Sequence, residues 1–65
     1  MKIWVNGTET VLKKKCPVSS LLAHLKVSGR FAVEMNGKIV PRNTFDSVLI
    51  SEDDKIEIVK ALGGG

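Results

Sequence analysis

The chain has 65 residues, 43% of them hydrophobic and 26% charged, with a formal net charge of +3. A body this small buries only about 60% of the surface its unfolded chain exposes, which leaves no room for a deep catalytic cleft and points to a single domain, residues 1–65, that is not an enzyme in its own right. The one cysteine rules out an internal disulfide framework and suits a reducing, cytoplasmic setting, while no apolar run approaches the ~20 residues of a membrane span and no signal-peptide core follows Lys2.

Met1, Ile3 and Val5 alternate with Lys2, Trp4 and Asn6, the period of a half-buried strand. Asn6-Gly7 follows, a hairpin signal because both central residues of a type I′ turn need positive φ. Residues 8–12 read as the return strand, with Thr10, Val11 and Leu12 favouring β structure. Lys13-Lys14-Lys15 closes the hairpin as a basic loop. Its charge run is short and lacks interleaved aromatics, so it reads as a solvated loop or a rim contact on an acidic enzyme rather than a nucleic-acid site.

Cys16-Pro17 marks the next boundary, with Pro17 tolerated in the first turn of a helix. Val18, Leu21, Leu22 and Leu25 fall at i, i+3, i+4 and i+7, one apolar stripe of an α-helix. Ser28-Gly29 is expected to end it, with Gly29 in the left-handed position. Cys16 reads as a small apolar filler, the alternative being a thiol activated at a helix N-terminus. His24 has no ligand spacing around it and reads as a solvated surface histidine; no metal site is expected.

Phe31, Val33 and Met35 alternate with Ala32 and Glu34 as a third strand. Asn36-Gly37 repeats the turn signal, residues 38–40 return, and Pro41 stops the strand. Residues 42–46 read as an irregular turn or short helix anchored by Phe45. Arg42 is open between pairing with Asp46, pairing with Glu52 to Asp54, and contributing to a partner interface. After the brief apolar run Val48-Leu49-Ile50, Glu52-Asp53-Asp54 forms an acidic turn. The last strand runs from 55 to 59 or 60, with Ile56 and Ile58 on one face and Glu57 and Val59 on the other. One amphipathic helix joining two hairpins over one face of a mixed sheet is a two-layer α+β arrangement. Trp4 and Val59 fall on the face the helix leaves uncovered, where they read either as a docking patch or as ordinary partial burial.

The chain ends Ala61-Leu62-Gly63-Gly64-Gly65. Glycine is entropically the most costly residue to order, so three in a row finish a strand poorly. They do make a thin leash able to thread a slot too narrow for any Cβ. Its one functional group is the Gly65 carboxylate, an anion at neutral pH and an oxygen nucleophile. A frayed end is the bland alternative. Leu62, the last side chain before the glycines, is placed to anchor docking, with Ala61 beside it.

Three stretches carry a resemblance: Val33-Glu34-Met35-Asn36-Gly37-Lys38-Ile39-Val40-Pro41-Arg42, Asp54-Lys55-Ile56-Glu57-Ile58-Val59-Lys60, and the terminal Gly-Gly. Together, and over the whole length, they resemble the ThiS-type sulfur carrier proteins of thiamin biosynthesis, ThiS/MoaD-like members of the ubiquitin-like β-grasp family. The chain departs from that pattern at Pro17, where a capping Thr is usual, at Phe45, where Trp is common, at Asp53-Asp54 in place of Asp-Gly, and in its third glycine. The resemblance implies a β-grasp fold, with a mixed sheet of four to five strands, one helix on one face and a flexible glycine tail over 61–65. It also implies a carrier cycle. A ThiF-type adenylating enzyme would use ATP and Mg²⁺ to convert the Gly65 carboxylate to an acyl-adenylate, with Gly63 and Gly64 threaded into that partner. Sulfur from a cysteine desulfurase persulfide would displace AMP and leave a thiocarboxylate. A ThiG-type thiazole synthase would take the sulfur. No cofactor is expected on the chain itself, and neither nucleic acid nor membrane is an expected partner. The alternatives sharing this terminal activation are a molybdopterin-type carrier, whose members tend to be longer with an aromatic-proline stretch before the glycines, and a ubiquitin-like protein modifier.

Overall fold

A computed structural model describes residues 1–60 of the chain. The expected glycine tail, residues 61–65, lies outside the described residues. Five strands and one helix follow in the order β1 (Lys2–Val5), β2 (Thr8–Val11), α1 (Val18–His24), β3 (Phe31–Met35), β4 (Lys38–Ile39) and β5 (Lys55–Lys60), with a 3₁₀ turn at Arg42–Thr44 before β5. They form one sheet in the order β2-β1-β5-β3-β4. The last strand is thus inserted at the centre, parallel to β1 and antiparallel to β3. This is the mixed β-grasp sheet that the family resemblance implies, with five strands.

Both Asn-Gly turns form as expected. Asn6 and Gly7 take φ of 49° and 81°, Asn36 and Gly37 of 54° and 85°. A Cβ on either glycine would meet nothing within 4 Å, so these positions select glycine for backbone conformation alone. Alternation then sends Ile3, Val33 and Ile56 inward, where they are buried with Val18, Leu21 and Leu22 of α1 and with Val40 and Ile50. Each fully buried aliphatic side chain contributes about 1.5–3 kcal/mol.

The helix starts and stops differently from expectation. Pro17 occupies the N-cap, not the first turn, and no side chain caps the helix. The amides of Val18 and Ser19 instead donate to the carbonyls of Val48 and Phe45, both at 2.9 Å. The segment between β4 and β5 therefore does the work of the missing capping side chain. The C-terminus closes on Lys26 rather than Gly29. Lys26 takes φ of 57°, its amide donates to Ala23 O at 3.1 Å, and the Val27 amide donates to Leu22 O at 3.1 Å. That pair of bonds is a Schellman closure, stabilised because Val27 packs against the core. Ending the helix there leaves Leu25, expected in the buried stripe, 38% exposed. Gly29 has positive φ as well, but in the loop leading to β3. Of Val48-Leu49-Ile50 only Ile50 is fully buried. Leu49 forms an isolated bridge with Pro17. Among the described residues no helix is long and apolar enough to cross a membrane.

Candidate functional site

Gly63, Gly64 and Gly65, with the expected docking residues Ala61 and Leu62, lie outside the described residues. The structure does describe the root from which they follow. β1 ends at Val5, level with Ile56, whereas β5 continues four residues further, paired with β3 up to Phe31 and Lys60. On the β1 side the ladder is prolonged by a side chain. Asn6 Nδ2 donates to Ile58 O at 3.2 Å, and the Ile58 amide donates to Asn6 Oδ1 at 2.7 Å. The carboxamide thus stands in for one more peptide unit of β1. The turn dipeptide in the sequence signals the bend, but nothing local signals this second role, because its partner is 52 positions away.

At the opposite end of β5 the strand is tied more densely. Asn36 Nδ2 donates to Asp54 Oδ1 and Asn36 Oδ1 accepts from the Lys55 amide, both at 3.0 Å. Asp54 Oδ2 accepts from the Ser51 amide at 2.7 Å, and Glu52 Oε2 from the Lys2 amide at 2.8 Å. The acidic turn is therefore a structural clasp in which Asp53 holds φ of 67°.

Trp4 and Val59 share the sheet face away from α1, yet they do not form one spot. Trp4 is level with Lys55, and Val59 is four residues further along β5, about 13 Å away at ~3.3 Å per residue. Trp4 is half-buried beside Lys2, whose Nζ sits 5.5 Å from the ring centroid. Val59 is 54% exposed, opposite Ala32. Val59 is the one of the two beside the tail root, where it lines a shallow hollow of about 340 Å³ with Arg30, Phe31, Ala32 and Lys60.

Arg42, left open by the sequence, is placed at this same end. Its Nη2 donates to Phe31 O at 2.9 Å. Its guanidinium carbon lies 4.8 Å from the Phe31 ring centroid and 5.9 Å from that of Phe45, the two rings being stacked 6.2 Å apart with 16° between their planes. Cys16 and His24 come together on the other side of the molecule. Both line a hollow of about 530 Å³ between the end of β2 and α1, along with Lys13 and Lys14. Cys16 is half-buried and unbonded to another sulfur, and His24 is exposed. Among the described residues no group of three or more His, Cys, Asp or Glu side chains could hold a metal ion.

With this geometry in place, comparison with known proteins gives a consistent result. The model of the ThiS family matches residues 3–65. The chain is similar over its full length to the crystal structure of the thiamine biosynthesis protein ThiS from Geobacter metallireducens, with a TM-score of 0.88 and 32% identity, covering all of that chain too. It is 41% identical over 66 residues to a thiazole synthase of Paramagnetospirillum magneticum. It spans about a fifth of the length of the curated thiazole synthases it matches. It is also 33% identical to the uncharacterized protein ycf40 of Porphyra purpurea, covering 93% of that protein.

Proposed function

The chain belongs to the ThiS family, and from that premise we propose that it carries sulfur for the assembly of the thiamin thiazole on its Gly65 carboxylate. The observation that carries the reading is the full-length match to a solved ThiS protein, together with the Gly63-Gly64-Gly65 stretch two residues beyond the central strand. A carboxylate is a poor acyl donor because oxide is a poor leaving group. A ThiF-type partner, using ATP and Mg²⁺, joins the Gly65 carboxylate to AMP and releases pyrophosphate, dividing one hard step into two easier ones. The outer sulfur of a cysteine desulfurase persulfide then attacks the acyl carbon and AMP leaves. Reduction of the resulting acyl disulfide by a thiol leaves the thiocarboxylate on Gly65. A ThiG-type thiazole synthase is the acceptor, a partner supported by the similarity to a segment of larger proteins named thiazole synthase.

In this cycle the folded body contributes positioning. A tethered group gains effective concentration only when its tether matches the span to the site, and β5 carries the tail past the end of β1. Leu62, Ala61 and Val59 supply apolar docking contacts next to the glycines, and Trp4 forms a second contact further down the same face. The test is the intact mass of the protein recovered from cells making thiamin. Exchange of one oxygen for sulfur at the C-terminus is the expected result, and one residue appended after Gly65 abolishes it. An unmodified terminus in such cells overturns the reading, and a ladder of covalent adducts assigns the chain to protein modification instead.

A further inference from the structure

We propose that Arg42, with Lys60 and Arg30, forms a carboxylate-binding rim around the tail root, and that this rim seats the chain on an acidic protein surface. The proposal rests on the carrier reading for the partner's identity, but its chemistry stands on the geometry alone. The Arg42 guanidinium is fixed before any partner arrives, by one hydrogen bond to Phe31 O and by the faces of two stacked rings. A guanidinium has five N–H donors in a rigid fork. The bond to Phe31 uses one, the side chain is exposed, and it makes no other hydrogen bond among the described residues. Holding a long cationic side chain in place beforehand removes most of the ordering cost that makes surface ion pairs weak.

The neighbours extend the charge. Phe31 is the direct cross-strand partner of Lys60, and such partners project from the same face, so Lys60 lies on the Arg42 side of the sheet. Arg30 lines the hollow with Phe31, Ala32, Val59 and Lys60. The three cations thus bracket the end of the sheet, with Arg42 and Lys60 on the α1 side and Val59 and Ala32 on the face away from them. The acidic residues are placed elsewhere. Glu52 and Asp54 are bound into the clasp at the far end of β5, on the Lys2 and Ser51 amides and Asn36. Asp46 and Glu57 are exposed, and Glu57 projects from the opposite face of the sheet to Lys60. Arg42 and Lys60 thus stand together on the face that Glu57 and Glu34 do not share, and a complementary occupant there is acidic.

The test uses the complete chain and no enzyme, so it fails or succeeds independently of the carrier reading. The ¹⁵N-labelled protein is titrated with the peptide Glu-Leu-Glu-Glu-Leu-Glu and, separately, with a thymidine oligonucleotide of equal charge. Peptide-induced amide shifts are expected at residues 30–32, 42 and 59–60, with affinity falling as salt is raised. Arg42→Lys, which keeps the charge and loses the fork, weakens binding about threefold. The double variant Arg30→Glu/Lys60→Glu, at two exposed positions, weakens it about tenfold or more. Lys13→Glu/Lys14→Glu makes the same change in net charge and leaves the shifts at the rim in place. Shifts centred on 13–15, equal loss in the two double variants, or tighter binding of the oligonucleotide at the rim would each overturn the proposal.

Discussion

The two ends of β5 are built to different purposes. Both carry an Asn-Gly turn beside them, and in both the asparagine side chain reaches across to the strand. At the start, Asn36 is one member of a dense set of bonds that includes Asp54, Glu52 and the Lys2 backbone, and Ile56 directly beyond it is 1% exposed. At the other end Asn6 alone prolongs the ladder on the β1 side, Val59 is exposed, and the flanking side chains are cations. Stability is concentrated where the strand enters the sheet. Surface available for recognition is concentrated where it leaves.

The largest expected effect comes from truncating the buried end. Ile56→Ala should cost about 2–5 kcal/mol, the usual range for deleting a fully buried aliphatic. A domain of this size has about 3–10 kcal/mol in total at ~0.05–0.15 kcal/mol per residue, so urea denaturation at 25 °C should find the variant partly unfolded before denaturant is added. Val59→Ala, three positions on, should cost less than about 0.5 kcal/mol and yet slow the proposed adenylation of Gly65 by a ThiF-type enzyme. A Val59→Ala loss as large as that of Ile56→Ala would erase the distinction between the ends.

The turns at both ends were legible in the sequence because Asn-Gly satisfies a backbone requirement local to two residues. Strand alternation and the buried positions of α1 were legible for the same reason, since each depends on a short period. The central position of β5 is not encoded in any window, because its partners on β1 lie 51 positions away and those on β3 lie 21 to 29 positions away. It followed only from the resemblance carried by residues 33–42 and 54–60. The end of α1 was misplaced because glycine is the commonest left-handed residue, whereas here the packing of Val27 against the core makes the positive φ at Lys26 worth adopting. Arg42 was undecidable for a related reason: its partners are aromatic faces and a backbone carbonyl brought near by the sheet, and charge matching along the sequence pointed to Asp46 or Glu52 to Asp54 instead. The expected tail chemistry rests on residues 61–65 and the family, and the described residues bear only on its root.

A finer separation uses the two asparagines. Asn6→Gly and Asn36→Gly both keep a turn residue comfortable at positive φ and both add the same backbone entropy to the unfolded chain. Each removes two side-chain bonds, about 1–2 kcal/mol in total. Global stability should therefore fall by similar amounts. Amide hydrogen exchange should not. Asn6→Gly should accelerate exchange at Ile58 about tenfold relative to Lys55, and Asn36→Gly should do the reverse. Equal acceleration along the whole strand would mean that β5 opens as one unit.

A small effect of opposite sign lies at the midpoint of the strand, where the two ends meet. Glu57 is directly opposite Glu34, and like charges so paired destabilise a sheet by about 0.2–1 kcal/mol. Glu57→Gln should therefore raise stability within that range, with the gain shrinking as salt screens the repulsion. Glu57→Lys should stabilise slightly more, since it converts repulsion into attraction. The same substitution sharpens the comparison of the ends, because it adds positive charge close to Lys60 in sequence but on the other face of the sheet. Binding of the acidic peptide should change far less than it does on reversing Lys60 and Arg30. If Glu57→Lys strengthened that binding as much as the reversal weakened it, the tail root would be responding to net charge alone, and the fixed orientation of Arg42 would have no part in recognition.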